Sequence, residues 1–298
     1  MKHREAMMRS MTLMGALLFT PLTLAEPQSL QWQWRSHDGQ EHHIRFDATA
    51  RDVATSHRDM QRLDAALNAP LETLFAQMGQ KLQHTLTAIN QSSPASAPKF
   101  STLDEAFSRR DDTPESLQFW QAYHQYQSDA FYEMRIAPCV HPSDRNLPCV
   151  RPNYSQLFYE LKGALRPLAQ QFSQADMPRS VALAQEWLAA IPSSGEQMEH
   201  FAPPLQALQR NQADSDERAL LMAALVAELA PQYPLSIIYP DISVGSVSPA
   251  WLAISADSGI KGETVLINHQ SHVLLTGSPL LVQQMMLGNI RLISEPLY

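Results

Sequence analysis

The chain has 298 residues, a mass of 33.4 kDa and a formal charge of −8, with 22 Lys+Arg against 30 Asp+Glu. This length excludes a peptide hormone or a disulfide-stapled miniprotein and suffices for one large domain or two ordinary ones. The acidic balance argues against a dedicated nucleic-acid binder. Only 10 Gly and no G-x-G-x-x-G or G-x-x-x-x-G-K-[ST] exclude the common nucleotide cradles.

Residues 1–25 have the form of a secretory leader. Lys2, Arg4 and Arg9 precede the apolar run MTLMGALLFTPLTLA, which closes on Thr23-Leu24-Ala25. A basic head, a short apolar body and small residues at the end predict export with cleavage after Ala25. The run is short for a bilayer span and contains Pro21. An uncleaved anchor is the alternative. No later segment reaches about 18 uninterrupted apolar residues, so no stable membrane span is expected after cleavage. The expected location is periplasmic or secreted.

In an oxidising compartment the only two cysteines, Cys139 and Cys149, most simply form one disulfide. Turn formers fill the loop between them: Pro142, Ser143, Asp144, Asn146 and Pro148. A reactive thiol or a metal ligand is the other reading. A ten-residue spacing without neighbouring histidine pairs serves neither well.

After the leader, residues 26–57 predict a β-hairpin region. Leu30, Trp32 and Trp34 alternate with polar residues, as do Ile44 and Phe46, around Asp38-Gly39. The adjacent His42 and His43 point to opposite strand faces and are expected to be solvated or cross-strand residues. Residues 58–177 predict a helical region containing the disulfide loop. A stripe at Met60, Leu63, Leu67, Leu71, Leu74, Met78, Leu82 and Leu86 has helical spacing and the form of a packing face. Pro70 is expected to start a second helix there. A linker falls at 91–101. Another helical stretch at about 103–134 is rich in aromatics, and helices are expected over 154–174 and 178–190.

Residues 178–298 predict an α+β unit. DSDERALLMAALVAELA at 214–230 is a strongly apolar helix, followed by strand candidates at 234–241, 249–255, 264–268 and 272–277. The segment ALQRNQADSDERALLMAALVAELAPQYPLSIIYPD resembles the centre of transglutaminase-like domains of the papain-like cysteine protease superfamily. Asp214, Ser215, Asp216, Ala219, Leu220, Leu221, Ala224 and Leu225 match the G-D-C-[DE]-x-x-[AS]-x-L-L-[AL]-A-L-L pattern that opens the family's central helix. EWLAAIP and FAPPLQALQ are similar to the stretches upstream of it. PAWLAIS is similar to the strand that begins with the family's histidine, and HVLLTGSP to the strand that supplies its acid. The hairpin resembles the N-terminal strands of one bacterial and archaeal subgroup. The resemblance covers roughly 180–290 in preserved order and implies a central helix packed on a small antiparallel sheet.

It also implies a lost active site. Ser215 stands where the family has its cysteine, Ala250 (or Pro249, one position away) where it has the histidine, and Thr276 where it has the acid. A helix dipole lowers a thiol's pKa toward neutrality, but a hydroxyl needs a general base as well. Asp214 and Asp216 flank Ser215 with negative charge, which disfavours an alkoxide. Asp214 or Ser215 can instead cap the helix, with Glu217 completing a capping box.

Other chemistry is sparse. His269 and His272 in INHQSHVLL have the spacing for a metal or a base, or the solvation of a hairpin loop. Ser194-Gly195 and Ser258-Gly259 lack a nucleophile-elbow setting. Glu105, Asp111 and Asp112 show no paired spacing for acid–base work. No metal site or cofactor is expected. The sequence favours an exported, catalytically inactive transglutaminase-like protein that binds a protein or peptide partner in a bacterial cell envelope. The alternatives are an active hydrolase or acyltransferase using Ser215 or a site near His269 and His272, and a helical adaptor whose C-terminal third only buries a core.

Overall fold

Strand β1 (Gln28–Arg35) and strand β2 (Glu41–Ala48) pair antiparallel, with Trp32 opposite Ile44 and Trp34 opposite His42. Asp38-Gly39 makes the turn because Gly39 takes a φ of 84°, a left-handed value that a Cβ would penalise. These coordinates come from a computed structural model. It describes residues 26–69, 73, 79–81, 83, 84, 86, 87, 90, 91, 99–108, 114–139, 149–194, 201–240, 249–267, 269–277, 280, 283, 284, 287, 288 and 292–297. The leader, Pro70, the turn formers between the cysteines, and Asp111 and Asp112 lie outside the described residues.

The alternation in the hairpin decides where it packs. Trp34, Ile44, Phe46 and Ala48 are buried on one face, against Phe172 and Trp187. Trp32 meets Trp187 edge-on at 5.4 Å, and its indole N–H donates to Asn211 Oδ1 at 2.9 Å. His42 stacks on Trp34 across the strands. The hairpin therefore shares its core with the C-terminal half of the chain.

Helix α1 (Ala50–Leu67) is capped by Thr49, whose Oγ1 accepts from the Asp52 N–H. It starts about three turns before Met60, the first residue of the apolar stripe that predicts it. Its inner face there carries a single apolar residue, Val53, followed by Ser56 and Asp59, which an apolar periodicity does not register. Helical backbone recurs among the described residues between 73 and 91. The aromatic stretch forms two helices, α2 (Leu103–Ser108) and α3 (Pro114–Met134), where one was expected. Glu105 caps the start of α2: its carboxylate accepts from the Ser101 N–H, and its own N–H donates to Thr102 Oγ1. Leu86, Phe100, Ala106 and Trp120 form a small satellite core there.

A three-residue ladder follows, β3 (Ile136–Pro138) against β4 (Val150–Pro152), closed by the Cys139–Cys149 disulfide at a Cα separation of 5.0 Å. Helix α4 (Tyr154–Gln170), capped by Asn153, and helix α5 (Met177–Ala190), capped by Asp176, fall where the sequence places them. Helix α6 (Pro204–Arg210) is an additional short element.

Helix α7 (Ser215–Leu229) is buried on nearly every face, with Ala219 through Val226 all in the core. Such a helix cannot lie on a surface; it needs partners on all sides. It has them in α4, α5, α6 and the sheet. The sheet is antiparallel, in the order β7 (Thr264–Ile267), β8 (Gln270–Leu274), β6 (Trp251–Ser255), β5 (Leu235–Pro240), β9 (Leu292–Pro296). Ile237, Leu252, Ile254 and Val273 face the α7 side. Ile238, Trp251, Ala253, Val265, Ile267 and Leu274 form a second core on the other face. The sheet curls enough for β7 to approach β9. The architecture is thus α+β. None of the described helices is long and apolar enough to cross a membrane.

Candidate functional site at the start of the buried helix

Four N–H groups at the start of a buried helix need acceptors, and water is scarce there. The chain supplies them locally for the Asp214 and Glu217 N–H groups. Asp214 is the N-cap, its Oδ1 accepting from the Glu217 N–H at 3.3 Å, while Glu217 Oε2 accepts from the Asp214 N–H at 3.1 Å. Glu217 Oε1 also accepts from Ala202 N–H at 2.6 Å, fixing the segment ahead of α6. Asp216 Oδ1 accepts again from the Glu217 N–H at 2.9 Å, and its Oδ2 accepts from the Tyr154 hydroxyl at 2.9 Å.

A second tier lies beside this one. The Arg151 guanidinium stands 5.1 Å from the Tyr154 ring centre and 4.9 Å from that of Tyr239, a cation–π sandwich. It pairs with Glu295 of β9, whose other oxygen accepts from Ser155 Oγ at 2.8 Å. On the other flank Arg218 donates to the carbonyls of Ala213, Leu188 and Ile191, closing the C-terminal end of α5.

The electrostatics follow from burial. Loss of water pushes the Asp214 carboxyl up to about 9, assisted by its hydrogen bond with Asp216 and that neighbour's charge. Burial raises Glu217 to about 7, with Asp214 adding to it; the two backbone N–H groups it accepts act in the opposite direction. Burial, then Asp216, holds the Tyr154 phenol well above its ordinary value, so it remains a donor. Both acids bind protons more tightly folded than unfolded. The native state then carries more protons between about pH 4 and pH 9, and stability falls as pH rises through that window. The expected melting temperature is higher at about pH 5 than at about pH 9. Asp214→Asn keeps an acceptor and removes a titration, so it should flatten the decline. A melting temperature that climbs over the same range would contradict the assignment.

Ser215, Ala250 and Thr276 have defined places. Ser215 is the first helical residue, with its Oγ buried. Ala250, immediately before β6, is fully buried. Thr276 Oγ1 accepts from the Leu252 N–H at 2.8 Å, tying the chain beyond β8 to β6. Since Ala253 pairs with Leu274 and Ile238 with Trp251, continuing both registers sets Thr276 opposite Trp251 and Ala250 opposite Tyr239. Ala250 and Thr276 therefore share one end of the sheet, the end that Tyr239, Arg151 and Tyr154 connect to Asp216.

His269 and His272 do not join this cluster. They sit on the β7–β8 hairpin, His269 exposed in the turn with a φ of 66°, and His272 directing Nδ1 to the Gln270 carbonyl. At about 3.3 Å per residue, the run from His269 to Thr276 is about 23 Å. Ser258 is buried in a turn and accepts from the Ile260 N–H. Ser194 is exposed. Among the described residues no group of three His, Cys, Asp or Glu is arranged to hold a metal ion.

Chemically the arrangement satisfies a helix start and shares protons among acids. Asp214→Ala should cost about 1–2 kcal/mol, the value of a buried cap. Ser215→Ala should cost less, because Ser215 follows the cap. Thermal melts of the two variants check the order; a larger loss at Ser215 would reverse it.

Comparison with known proteins returns no matching family model, no matching curated protein and no matching solved structure.

Proposed function

We propose that the protein is an exported, non-catalytic transglutaminase-like protein that serves as a binding or assembly module in a bacterial cell envelope. One observation carries the loss of catalysis. The helix start that would present a nucleophile is occupied by a capping box, with Ser215 Oγ buried. A hydroxyl becomes a nucleophile only with a base in hydrogen-bond reach. In the transglutaminase-like reading the position for that base falls at Ala250, which is fully buried. The order of elements supports the family reading: a buried helix followed by an antiparallel sheet, with Ala250 and Thr276 at one end of it. Export is supported by the leader-like sequence of residues 1–25 and by the disulfide. A protein without turnover acts through what it holds, so its partner is expected to be a protein or peptide.

The test is incubation of purified protein lacking residues 1–25 with a fluorophosphonate probe, a thiol-directed probe, and ester and amide substrates. The expected result is no adduct at Ser215 and no turnover above the blank. A stoichiometric adduct at Ser215, abolished by Ser215→Ala, would make the protein a hydrolase or acyltransferase instead.

A further inference from the structure

A groove of about 790 Å³ lies between α1, the end of α3 and α4. Small side chains leave it open: Ala65, Ala66 and Ala69 line it with methyl groups, and Met134 adds to the apolar wall. Gln156 and Glu160 of α4 and Arg135 supply polar lining. Ala66 and Gln156 are each 4% exposed and mark its inner end. Tyr132, 56% exposed, stands at its mouth with Glu133. Apolar walls with a few convergent polar groups are the form of a ligand site.

The inner end is rich in acceptors and short of donors. Gln156 Nε2 donates to Glu160 Oε1 at 2.9 Å, which leaves the amide oxygen as an acceptor. That oxygen is buried and has no donor, an unusual condition for a buried carbonyl. Arg135 has nothing left to give it. Its Nε pairs with Asp59, its Nη2 with Glu160, and its Nη1 donates to the Glu133 carbonyl. Arg135 also holds a φ of 60°, a left-handed value uncommon outside glycine and recurrent at functional sites. Asp59, Glu133 and Glu160 stand against Arg62 and Arg135, so with all five ionised the local charge is −1.

We propose that this groove takes a lysine side chain of a partner protein. The alkyl stem lies along Ala65, Ala66, Ala69 and Met134, and the ammonium donates to the Glu160 carboxylate and to Gln156 Oε1. The terminal amide torsion is soft, so Oε1 turns to the entering donor. The charge balance and the spent arginine disfavour an anion. Water alone supplies donors but leaves the methyl walls wet. The groove is larger than one side chain, and Tyr132 offers the flanking peptide an apolar surface with a polar tip. That the lysine belongs to a protein rests on the binding-module reading above; the groove itself does not include Ser215.

Titration of the isotopically labelled full chain with acetyl-Ala-Lys-Ala-amide, followed by NMR, reads this directly. Saturable shifts should appear at the groove residues by about 10 mM peptide. The norleucine peptide, which lacks only the ammonium, should bind at least about tenfold more weakly. Free cadaverine should also bind more weakly than the lysine peptide, because it lacks the flanking backbone. Gln156→Met should weaken binding at least about tenfold. Ala65→Trp, at an exposed position, fills the groove without touching a polar group and should abolish it. Absence of saturable shifts at the groove overturns the proposal, as does equal binding of the norleucine peptide. Tighter binding of cadaverine would make this a site for a free amine and overturns it too, and so does parental affinity in both variants. An adduct at Ser215 in the probe assay would overturn the non-catalytic reading without moving any of these results, so the two fail separately.

Discussion

Trp187→Ala should destabilise the protein by about 3–5 kcal/mol, the cost of emptying a fully buried indole site. For a chain of this size that is a fall in melting temperature of about 10 °C. Trp187 is completely buried on α5 and joins two layers: its ring meets Trp32 of the hairpin at 5.4 Å and Phe172, beyond α4, at 5.2 Å. The cavity would open between elements that are far apart in sequence, which limits how far they can collapse to fill it. Trp187→Phe should cost under about 2 kcal/mol, since a ring remains. The indole N–H is buried without an acceptor among the described residues, so its removal strands no partner. Chemical denaturation of both variants measures the pair. Equal losses would show that shape at this site does not matter, and a loss below about 1 kcal/mol for alanine would show that the hairpin does not depend on it.

Arg135→Ala should be comparably severe, about 3–5 kcal/mol at neutral pH, because it leaves a buried carboxylate alone. Arg135 Nε sits 2.6 Å from Asp59 Oδ1, and Nη2 lies 3.3 Å from Glu160 Oε2. The side chains of Arg135 and Asp59 are 13% and 2% exposed, so neither is well screened by water. Burial already raises Asp59, and the Arg135 charge is the largest influence opposing it. Removing that charge raises Asp59 further. The variant's native state then holds a proton that the unfolded chain releases above about pH 4, so the deficit is largest at neutral pH and shrinks as pH falls toward 4. Adding Asp59→Asn should recover most of the loss at neutral pH. A deficit independent of pH, or no recovery in the double variant, would place the role of Arg135 elsewhere, in its contacts to Glu160 and the Glu133 carbonyl.

How much of this was legible depends on distance along the chain. The hairpin announces itself through Asp38-Gly39 and alternating tryptophans, and α7 through an apolar run from Ala219 to Val226. Both rest on local patterns. The first turns of α1 do not, because after Val53 their buried face is Ser56 and Asp59, and Asp59 is tolerable there only with Arg135 supplied from 76 positions away. The β3–β4 ladder is hidden for a different reason: Pro138 and Pro152 signal loops, yet both fall at non-hydrogen-bonded pairs, where the ladder needs no N–H from them. Strand β9 is uniformly half-buried up to Glu295 and shows no alternation to detect.

The site divides in the same way. The D-x-x-E capping box of Asp214 and Glu217 could be read from four consecutive residues, and the structure selects Asp214 over Ser215 as the cap. Tyr154 on Asp216 and Arg151 on Glu295 span 62 and 144 positions. Nothing in composition or spacing pairs them. They follow only once α4, α7 and β9 are in place.

The most direct test places a sulfur at position 215. Ser215→Cys places a thiol at the helix start, where the helix dipole favours a thiolate and where burial and the neighbouring carboxyl groups oppose one. With Ser215 Oγ buried and Asp214 and Glu217 both pushed up by loss of water, opposition should win. The thiol should titrate above the ordinary value of about 8.5 and resist iodoacetamide at neutral pH in the folded protein, while reacting freely after denaturation. A thiol that titrates below about 7 and alkylates readily in the folded state would show a site still built to activate a nucleophile, and would contradict a purely structural helix start.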